Sequence, residues 1–259
     1  MLSPRCPRAI TGICISTLVD NGQLAYSDTI GARLASYFAA NPPRDPAARG
    51  ITIEQLLRQR SGIGLDSTQR QGYTNSVNAD QDIVRGALAV SLASMPGSQY
   101  VYNNVNYALL GMVIKAVTSR DYGEYCQTML RGRGAPDARV GAGLLGMSAF
   151  GGWEISPIEY LNFARGFDRM QRLLSPATFA LINGGPSERN SRYVFGEVIT
   201  PVANGLKFDH VGNWQANWTT PSQMGAYFAL WEIQISVAAT YDRGIEAGSL
   251  ADMLSAAAH

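Results

Sequence analysis

The alternation of apolar and polar positions predicts its clearest helix over residues 104–118. Two sets of apolar residues recur there at helical spacing, one beginning at Tyr107 and the other at Leu109. Together they cover most of the helix surface, so we expect this helix to be buried on nearly all sides. Just before it, Tyr102 and Asn104 place a phenol and an amide at the entrance of a buried element. Buried polar groups need partners, and loop tips held by rigid elements often carry functional side chains.

Shorter patterns divide the rest of the chain into a mainly helical part and a later part with strands. From residue 192 the apolar period changes to two, which predicts strands. The polar residues 63–80 and the glycine-rich residues 131–152 are expected to be irregular. The other predicted helices cover 30–38, 51–60, 122–126, 156–167 (with Ser156 as its cap) and 245–258, and the predicted strands cover 193–196, 206–210, 224–230 and 233–240.

Composition is that of a globular protein and excludes several classes of function. The 259 residues are 46% apolar and 16% charged, enough to bury a sizeable core in one domain or two lobes. A net charge of +1 gives no electrostatic footprint for a nucleic acid or a membrane surface, and no apolar run is long enough to span a bilayer. The cysteines Cys6, Cys14 and Cys126 have no paired spacing, so neither a metal site nor a disulfide framework is indicated.

Four stretches carry a resemblance to a known family. Pro96-Gly97, followed by Tyr102-Asn103-Asn104 and then Asn106-Tyr107-Ala108-Leu109-Leu110-Gly111, resembles the Tyr-x-Asn box of class C serine β-lactamases. The related D-alanyl-D-alanine peptidases and esterases share that box. Residues 51–63, Gly151-Gly152-Trp153-Glu154-Ile155-Ser156-Pro157 and His210-Val211-Gly212 look like three further family segments in the same order. The resemblance covers about residues 3 to 245.

The resemblance implies an α+β fold of the β-lactamase/DD-peptidase type. A helical lobe would pack against an antiparallel sheet that carries the terminal helices. Whether that sheet is complete is left open. The implied division is an N-terminal helix of the central type over 1–24, a mainly helical lobe over 25–188, and strands with a C-terminal helix over 189–259.

The same alignment leaves the catalytic dyad of the family without a counterpart. Leu18-Val19-Asp20-Asn21-Gly22-Gln23-Leu24 matches the end of the family's central helix, with Gly22 just past its last turn. The family's Ser-x-x-Lys then falls on Arg5 and Arg8. A guanidinium is not deprotonated at accessible pH, so Arg8 cannot replace a lysine base. The neighbouring Ser3 and Cys6 do not restore the pattern: Ser3 is expected to precede the helix, and Cys6 is rotated by about 100° from the serine position.

The N-terminus allows two interpretations. Arg5 and Arg8 followed by apolar residues up to Val19 are compatible with a signal peptide, and the helix alignment is the alternative. Relatives of this type begin with two strands ahead of the dyad helix, so the resemblance implies a truncated product, a mis-assigned start or a degenerate paralogue. The compartment stays unknown, although many relatives are soluble, periplasmic or secreted.

Three residues are candidate catalytic residues by resemblance, each with a structural alternative. Tyr102 would relay the proton of a nucleophile, or it packs a loop onto the core. Asn104 would donate a hydrogen bond to a substrate carbonyl, or it caps the following helix. His210 would line the cleft on a strand, or it is bonded to a neighbour within the sheet.

Candidate substrate-binding residues follow His210 on the same segment. Gly212 would let a substrate backbone approach, and Asn213 and Trp214 would line the cleft, with core packing as the alternative for the tryptophan. Lys207 lies at an odd offset from His210, so on a strand it should face away and is a poor substitute base.

Two functions from different classes remain open. The first is a serine hydrolase that cleaves a small-molecule or peptide-like amide or ester, with no cofactor and no metal. The second is a non-catalytic relative that keeps a cleft for binding. The missing dyad favours weak or no activity for this polypeptide, whose status as an enzyme is uncertain from sequence. If the leading strands are missing, the run 233–240 becomes a sheet edge, and we expect self-association through it.

Overall fold

A computed structural model of the chain describes residues 7–69, 76, 79–167, 174–202, 205–214, 224–231, 235–241, 252, 253 and 256. Helices dominate the first two thirds of this part and strands dominate the rest. The helices are α1 (Pro7–Asp20), α2 (Ile30–Arg33), α3 (Ala35–Ala40), α4 (Ile53–Leu57), α5 (Ala79–Leu88), α6 (Val105–Thr118), α7 (Tyr122–Arg131), α8 (Pro157–Ala164) and α9 (Pro176–Asn183). The strands are β1 (Arg139–Val140), β2 (Trp153–Glu154), β3 (Arg192–Val194), β4 (Glu197–Val202), β5 (Gly205–Trp214), β6 (Met224–Trp231) and β7 (Ile235–Tyr241).

Helices α1 and α6 form the buried centre of the helical part. Every residue of α6 from Val105 to Ile114 is buried, which confirms the prediction from its two apolar sets. Helix α1 contacts both α6 and α7 and buries residues 8–16. It ends as the sequence predicts, with Gly22 in the left-handed region at φ 70° just beyond its last turn.

The main sheet has five antiparallel strands in the order β3-β4-β5-β6-β7. Within the described residues β7 is therefore at the edge of the sheet, and α8 contacts it. The predicted α+β class, with helices beside an antiparallel sheet, is confirmed. The predicted C-terminal helix 245–258 lies outside the described residues except for positions 252, 253 and 256, which are helical.

Two glycines allow α1 to approach the turn between β3 and β4 very closely. A Cβ added at Gly12 would lie 2.8 Å from the Cα of Phe195. A Cβ added at Gly196 would lie 2.3 Å from the backbone nitrogen of Ala9, and Gly196 has φ 83°. Any larger residue would push the helix off the sheet. This contact holds the first turn of α1, and with it Arg8, against the strands.

Several sequence expectations need correction. Residues 79–88 form the amphipathic helix α5, although residues 79 and 80 were expected to be loop. Pro176–Asn183 forms helix α9, which the sequence patterns did not predict. The helical run 30–38 is broken at Leu34. No disulfide was indicated by spacing, yet Cys14 and Cys126 are joined across α1 and α7, with their Cα atoms 5.9 Å apart. None of the described helices combines the length and the apolar character needed to cross a membrane.

Candidate functional site

The candidate site is built around the guanidinium of Arg8 in the first turn of α1. The side chain is 2% exposed. Its Nη1 lies 3.1 Å from Nε2 of His210, its Nη2 donates to Oδ1 of Asn104, and its Cζ lies 4.8 Å from the ring centroid of Tyr102. The structure thus brings together all three candidate catalytic residues, and it places between them the arginine that the alignment puts at the lysine position.

The electrostatic setting keeps Arg8 charged. Burial by itself lowers the pKa of Arg8, but interactions with Tyr102, Tyr193 and Tyr107 and with the carboxylate of Asp66 outweigh it and leave that pKa raised. Among the described residues no carboxylate forms an ion pair with Arg8, and its Nε has no hydrogen-bond partner. The charge is therefore held mainly by neutral groups.

Asn104 connects Arg8 to Asp66 and Thr68, which lie in the segment that precedes α5. Its Nδ2 donates to Oδ2 of Asp66 at 3.0 Å and to Oγ1 of Thr68 at 3.1 Å, while its Oδ1 accepts from Arg8. Asn104 occupies the position before α6 but makes no side-chain cap. The neighbouring Asn103 accepts from the backbone N–H of Val105 at 2.9 Å instead. The capping interpretation thus applies to Asn103, which sequence reasoning did not single out.

Four tyrosines surround the guanidinium, and Tyr193 contacts the other three. Its ring centroid is 5.8 Å from that of Tyr102, 6.1 Å from Tyr100 and 6.5 Å from Tyr107, and also 6.5 Å from the imidazole of His210. Burial raises the pKa of Tyr193 well above that of an ordinary phenol, so it stays protonated. Tyr102 is 44% exposed and Tyr100 is 37% exposed, so these two members of the group face solvent. The period-two pattern predicted the strand of Tyr193 but gave no sign of its place in the site.

His210 lies on β5, opposite Phe228 of β6, and is buried. Arginine can only donate, so the contact with Arg8 requires Nε2 of His210 to accept, and the imidazole is then neutral with its proton on Nδ1. That lone pair is consequently not free to take a proton from a nucleophile. Lys207, as the sequence predicts, is on the other face of the strand, where its Nζ lies 3.2 Å from Asp209.

The remaining sequence-predicted residues are only partly covered. Gly212 is buried and pairs with Ala226. The backbones of Asn213 and Trp214 continue β5 opposite Gly225 and Met224, but their side chains are outside the described part of the structure. Three positions near the dyad, Ser3, Arg5 and Cys6, lie entirely outside the described part of the structure.

Glu197 is a buried acid beside the site that the sequence did not reveal. It is the first residue of β4, on the same face as Ile199, and directly follows Gly196. Its Oε1 accepts from the phenol of Tyr160 at 3.0 Å, and its Oε2 has no partner in the described structure. Burial, reinforced by the negative charge of Asp209, raises the pKa of Glu197 well above its usual range. The environment therefore disfavours the charged form of Glu197, and no ion pair joins it to Arg8 in the described structure.

The described residues provide hydrogen-bonding groups but no metal centre. Within them, no three histidine, cysteine, aspartate or glutamate side chains are grouped so that they could hold a metal ion. What the site can do is bind and orient a polar ligand near Tyr102, because Arg8 occupies the interior of the cluster and engages both Asn104 and His210.

Comparisons with known proteins agree with the architecture. A curated relative, the protein flp of Staphylococcus aureus (strain MW2), is 36% identical over 118 residues, which is 46% of this chain and 23% of that protein. The chain therefore aligns with less than a quarter of the length of that relative.

Solved structures share the fold at low sequence identity. A D-stereospecific amidohydrolase from Streptomyces sp. superposes with a TM-score of 0.76 at 18% identity, over 94% of this chain and 82% of that one. A penicillin-binding protein from Bacillus halodurans gives a TM-score of 0.72 at 17% identity, over 98% and 85%. A D-amino acid amidase from Ochrobactrum anthropi SV3 gives 0.75 at 14% identity, over 100% and 86%. These likenesses establish the β-lactamase/DD-peptidase type of fold.

The family model named Beta-lactamase matches residues 8–150, more than half of the chain. That match begins at Arg8 and includes the Tyr102–Asn104 box, and together with the fold it shows that this chain belongs to the beta-lactamase family.

Proposed function

We propose that this chain is a beta-lactamase-family hydrolase relative that, as this polypeptide, cleaves amides and esters weakly or not at all. The observation that carries the proposal is the contact of the Arg8 guanidinium with Asn104 and His210. In the family pattern described above, a lysine stands at that position and helps to deprotonate a serine three residues before it.

The chemistry of the two side chains decides the point. A lysine amine can lose its proton when it is buried, whereas a guanidinium stays charged throughout the accessible pH range. An acyl-transfer nucleophile needs a base within about 3 Å. Arg8 cannot be that base, and the Nε2 lone pair of His210 is directed at Arg8. The serine position itself is Arg5 in the sequence.

The retained groups support a cleft that still binds. Tyr102, Asn104 and His210 lie together around Arg8, and Gly212, Asn213 and Trp214 follow His210 on β5. The amidohydrolase and amidase among the similar structures act, by their names, on amides. We therefore propose a small-molecule or peptide-like amide or ester as the ligand class, handled without a cofactor. The division into 1–24, 25–188 and 189–259 stays part of this proposal.

The second candidate is a purely non-catalytic binding protein, a pseudoenzyme in the strict sense. It is favoured by the same Arg8 contacts, and it differs in predicting zero turnover instead of slow turnover. Self-association through the edge strand β7 is a separate proposal, supported by the position of β7 at the end of the strand order in the described sheet. Light scattering on the purified chain would report it.

Hydrolysis assays test the proposal. We expect the chain to hydrolyse a chromogenic cephalosporin, a short-chain nitrophenyl ester and an amino acid amide at most slightly faster than a denatured control. A rate equal to that of the control favours the second candidate. The variants Ser3→Ala and Cys6→Ala should leave that baseline unchanged. The double variant Arg5→Ser with Arg8→Lys restores the dyad. Its rate should exceed that of the Arg5→Ser variant and that of the Arg8→Lys variant. Rapid turnover by the unmodified chain that survives Ser3→Ala and Cys6→Ala would overturn the proposal.

A further inference from the structure

A cavity of about 660 Å³ lies next to the candidate site and plays no part in the chemistry described above. Its wall is formed by residues 98–100, by the turn 188–191 and by residues of β3 and β4. The volume is in the range of about 300–1,000 Å³ that is typical of small-molecule sites. We infer that this cavity binds a small organic oxyanion with an aromatic ring, through Arg189 and Arg192. The inference goes beyond the proposed function, because it holds whether or not the chain hydrolyses anything.

The charge of the lining favours an anion. Glu188, an acidic residue in the lining, is already paired, with its Oε1 2.7 Å from Nη1 of Arg60. Arg189 and Arg192 both line the cavity and make no ion pair in the described structure. A carboxylate or phosphate oxygen is the acceptor that a guanidinium matches best. The cavity therefore presents two uncompensated positive charges.

The aromatic part of the lining favours a flat apolar group on the ligand. Tyr100 and Tyr193 both line the cavity, with ring centroids 6.1 Å apart and an interplanar angle of 53°. Burial raises the pKa of Tyr100 to about 12, so its phenol is neutral at physiological pH and does not cancel the arginine charges. Aromatic rings at such spacing accept a third ring in an edge or offset contact.

The turn that carries Arg189 is held in a strained form. Glu188 and Ser191 exchange backbone hydrogen bonds, and the two residues between them have φ of 50° at Arg189 and 68° at Asn190. Such a turn is normally built from asparagine and glycine, because side chains with a Cβ rarely adopt positive φ. Arginine is therefore unfavourable at the first of the two central positions of this turn. An arginine at this strained position on the rim of the cavity fits a role in binding, for which backbone strain is commonly tolerated.

Calorimetric titration of the full chain tests this inference with three probes of similar size. Hippurate carries a carboxylate, phenyl phosphate carries a phosphate, and N-benzoylglycinamide is the neutral counterpart of hippurate. We expect at least one anion to bind and the neutral amide to bind at least tenfold more weakly, since it lacks the charge-assisted hydrogen bonds. The tighter of the two anions identifies the headgroup. Binding of neither anion, or equal binding of the amide, would overturn the inference.

Two glycine substitutions in the same turn separate charge from strain. Arg189→Gly and Asn190→Gly both relieve a positive φ, so both should raise the melting temperature. Only Arg189→Gly removes a charge, and it should weaken binding of the preferred anion several-fold while Asn190→Gly leaves it unchanged. Arg192→Gln should weaken binding at least tenfold. Unchanged affinity in both arginine variants would refute the assignment, and Arg189→Gly keeps the test valid if Arg192→Gln does not fold.

Discussion

Two arginines are buried in the part of the chain that the structure describes, and their surroundings differ. Arg58, next to α4, donates from Nε to Oε1 of Glu54 at 2.8 Å and from Nη2 to the carbonyl of Leu181 at 2.5 Å. Its guanidinium packs against the backbone at Gly185, where an added Cβ would lie 2.6 Å from Cζ. Among the described residues, Arg8 has as direct partners only an amide, an imidazole and an aromatic ring.

The difference shows what each charge does for the fold. Arg58 joins α4 to the end of α9 through an ion pair and a backbone carbonyl, so it is a structural link. Arg8 is desolvated as fully, but the carboxylate of Asp66 is linked to it only through Asn104. Burying a charge without a direct counterion costs several kcal/mol before other contacts are counted. We therefore expect Arg58 to stabilise the fold more than Arg8 does.

The largest expected effect is that of Arg58→Met. Loss of the guanidinium leaves the carbonyl of Leu181 without its donor inside the protein, although Glu54 remains 42% exposed and keeps its hydration. We expect a loss of about 3 kcal/mol in the free energy of unfolding. Urea denaturation monitored by circular dichroism would measure it. Arg131→Met on the exposed face of α7 is the matched control, and an equal loss there would remove Arg58 from its assigned role.

Glu197→Gln sharpens the comparison, because an ionised Glu197 would be a counterion for Arg8. The folded-state pKa of Glu197 is raised, so its carboxyl stabilises the fold below the ordinary pKa of about 4.3 and loses that contribution as the pH rises. The glutamine variant has no such loss. We expect it to gain stability relative to the original chain as the pH rises above about 4, the region where an ordinary glutamate ionises.

Unfolding free energies measured across that pH range would decide the matter. Glu124→Gln, at an exposed position on α7, is the control and should track the original chain. A Glu197→Gln protein that is less stable than the original chain at pH 8 would mean that Glu197 is ionised and compensates Arg8, and the contrast between the two arginines would fail.

The smallest expected effect is that of Arg8→Met. Methionine has a similar volume, removes the desolvation cost of the charge, and leaves Oδ1 of Asn104 without its donor. These effects oppose each other, so we expect a change in unfolding free energy of less than about 1 kcal/mol. Chemical denaturation of the Arg8→Met and Arg58→Met variants under the same conditions compares the two losses directly. A loss as large as that of Arg58→Met would show that Arg8 is a structural residue after all.

The fold was predictable from sequence where local patterns and family motifs coincide. The two apolar sets of α6 and the Ser156 cap of α8 are local signals, and the structure has both. Strand β4 was missed because it begins with Glu197 and contains Pro201, residues that are depleted in strands. Its buried glutamate is possible only because Tyr160, 37 residues earlier in the chain, supplies a hydrogen bond. The Cys14–Cys126 pairing, across 112 residues, is likewise invisible to spacing.

The site was predictable in its members but not in its contacts. The motifs named Tyr102, Asn104 and His210, and the alignment placed Arg8 at a lysine position. The contacts depend on packing between distant segments. Asn103 accepts the hydrogen bond from the start of α6, Asn104 donates to Asp66, and Tyr193 contacts three other tyrosines. The cavity beside the site depends on the turn at Arg189 and Asn190, whose positive φ angles no pattern in those residues predicts.

Covalent trapping tests the central claim most directly, namely that a charged arginine occupies the position of the catalytic base. The purified chain would be incubated with a penicillin and, separately, with a fluorophosphonate, and its intact mass measured over time. The account predicts no added mass in the original chain. In the Arg5→Ser, Arg8→Lys double variant it predicts an adduct on the introduced serine, located by peptide mapping. An adduct on the original chain at any residue of the cluster around Arg8 would contradict the account.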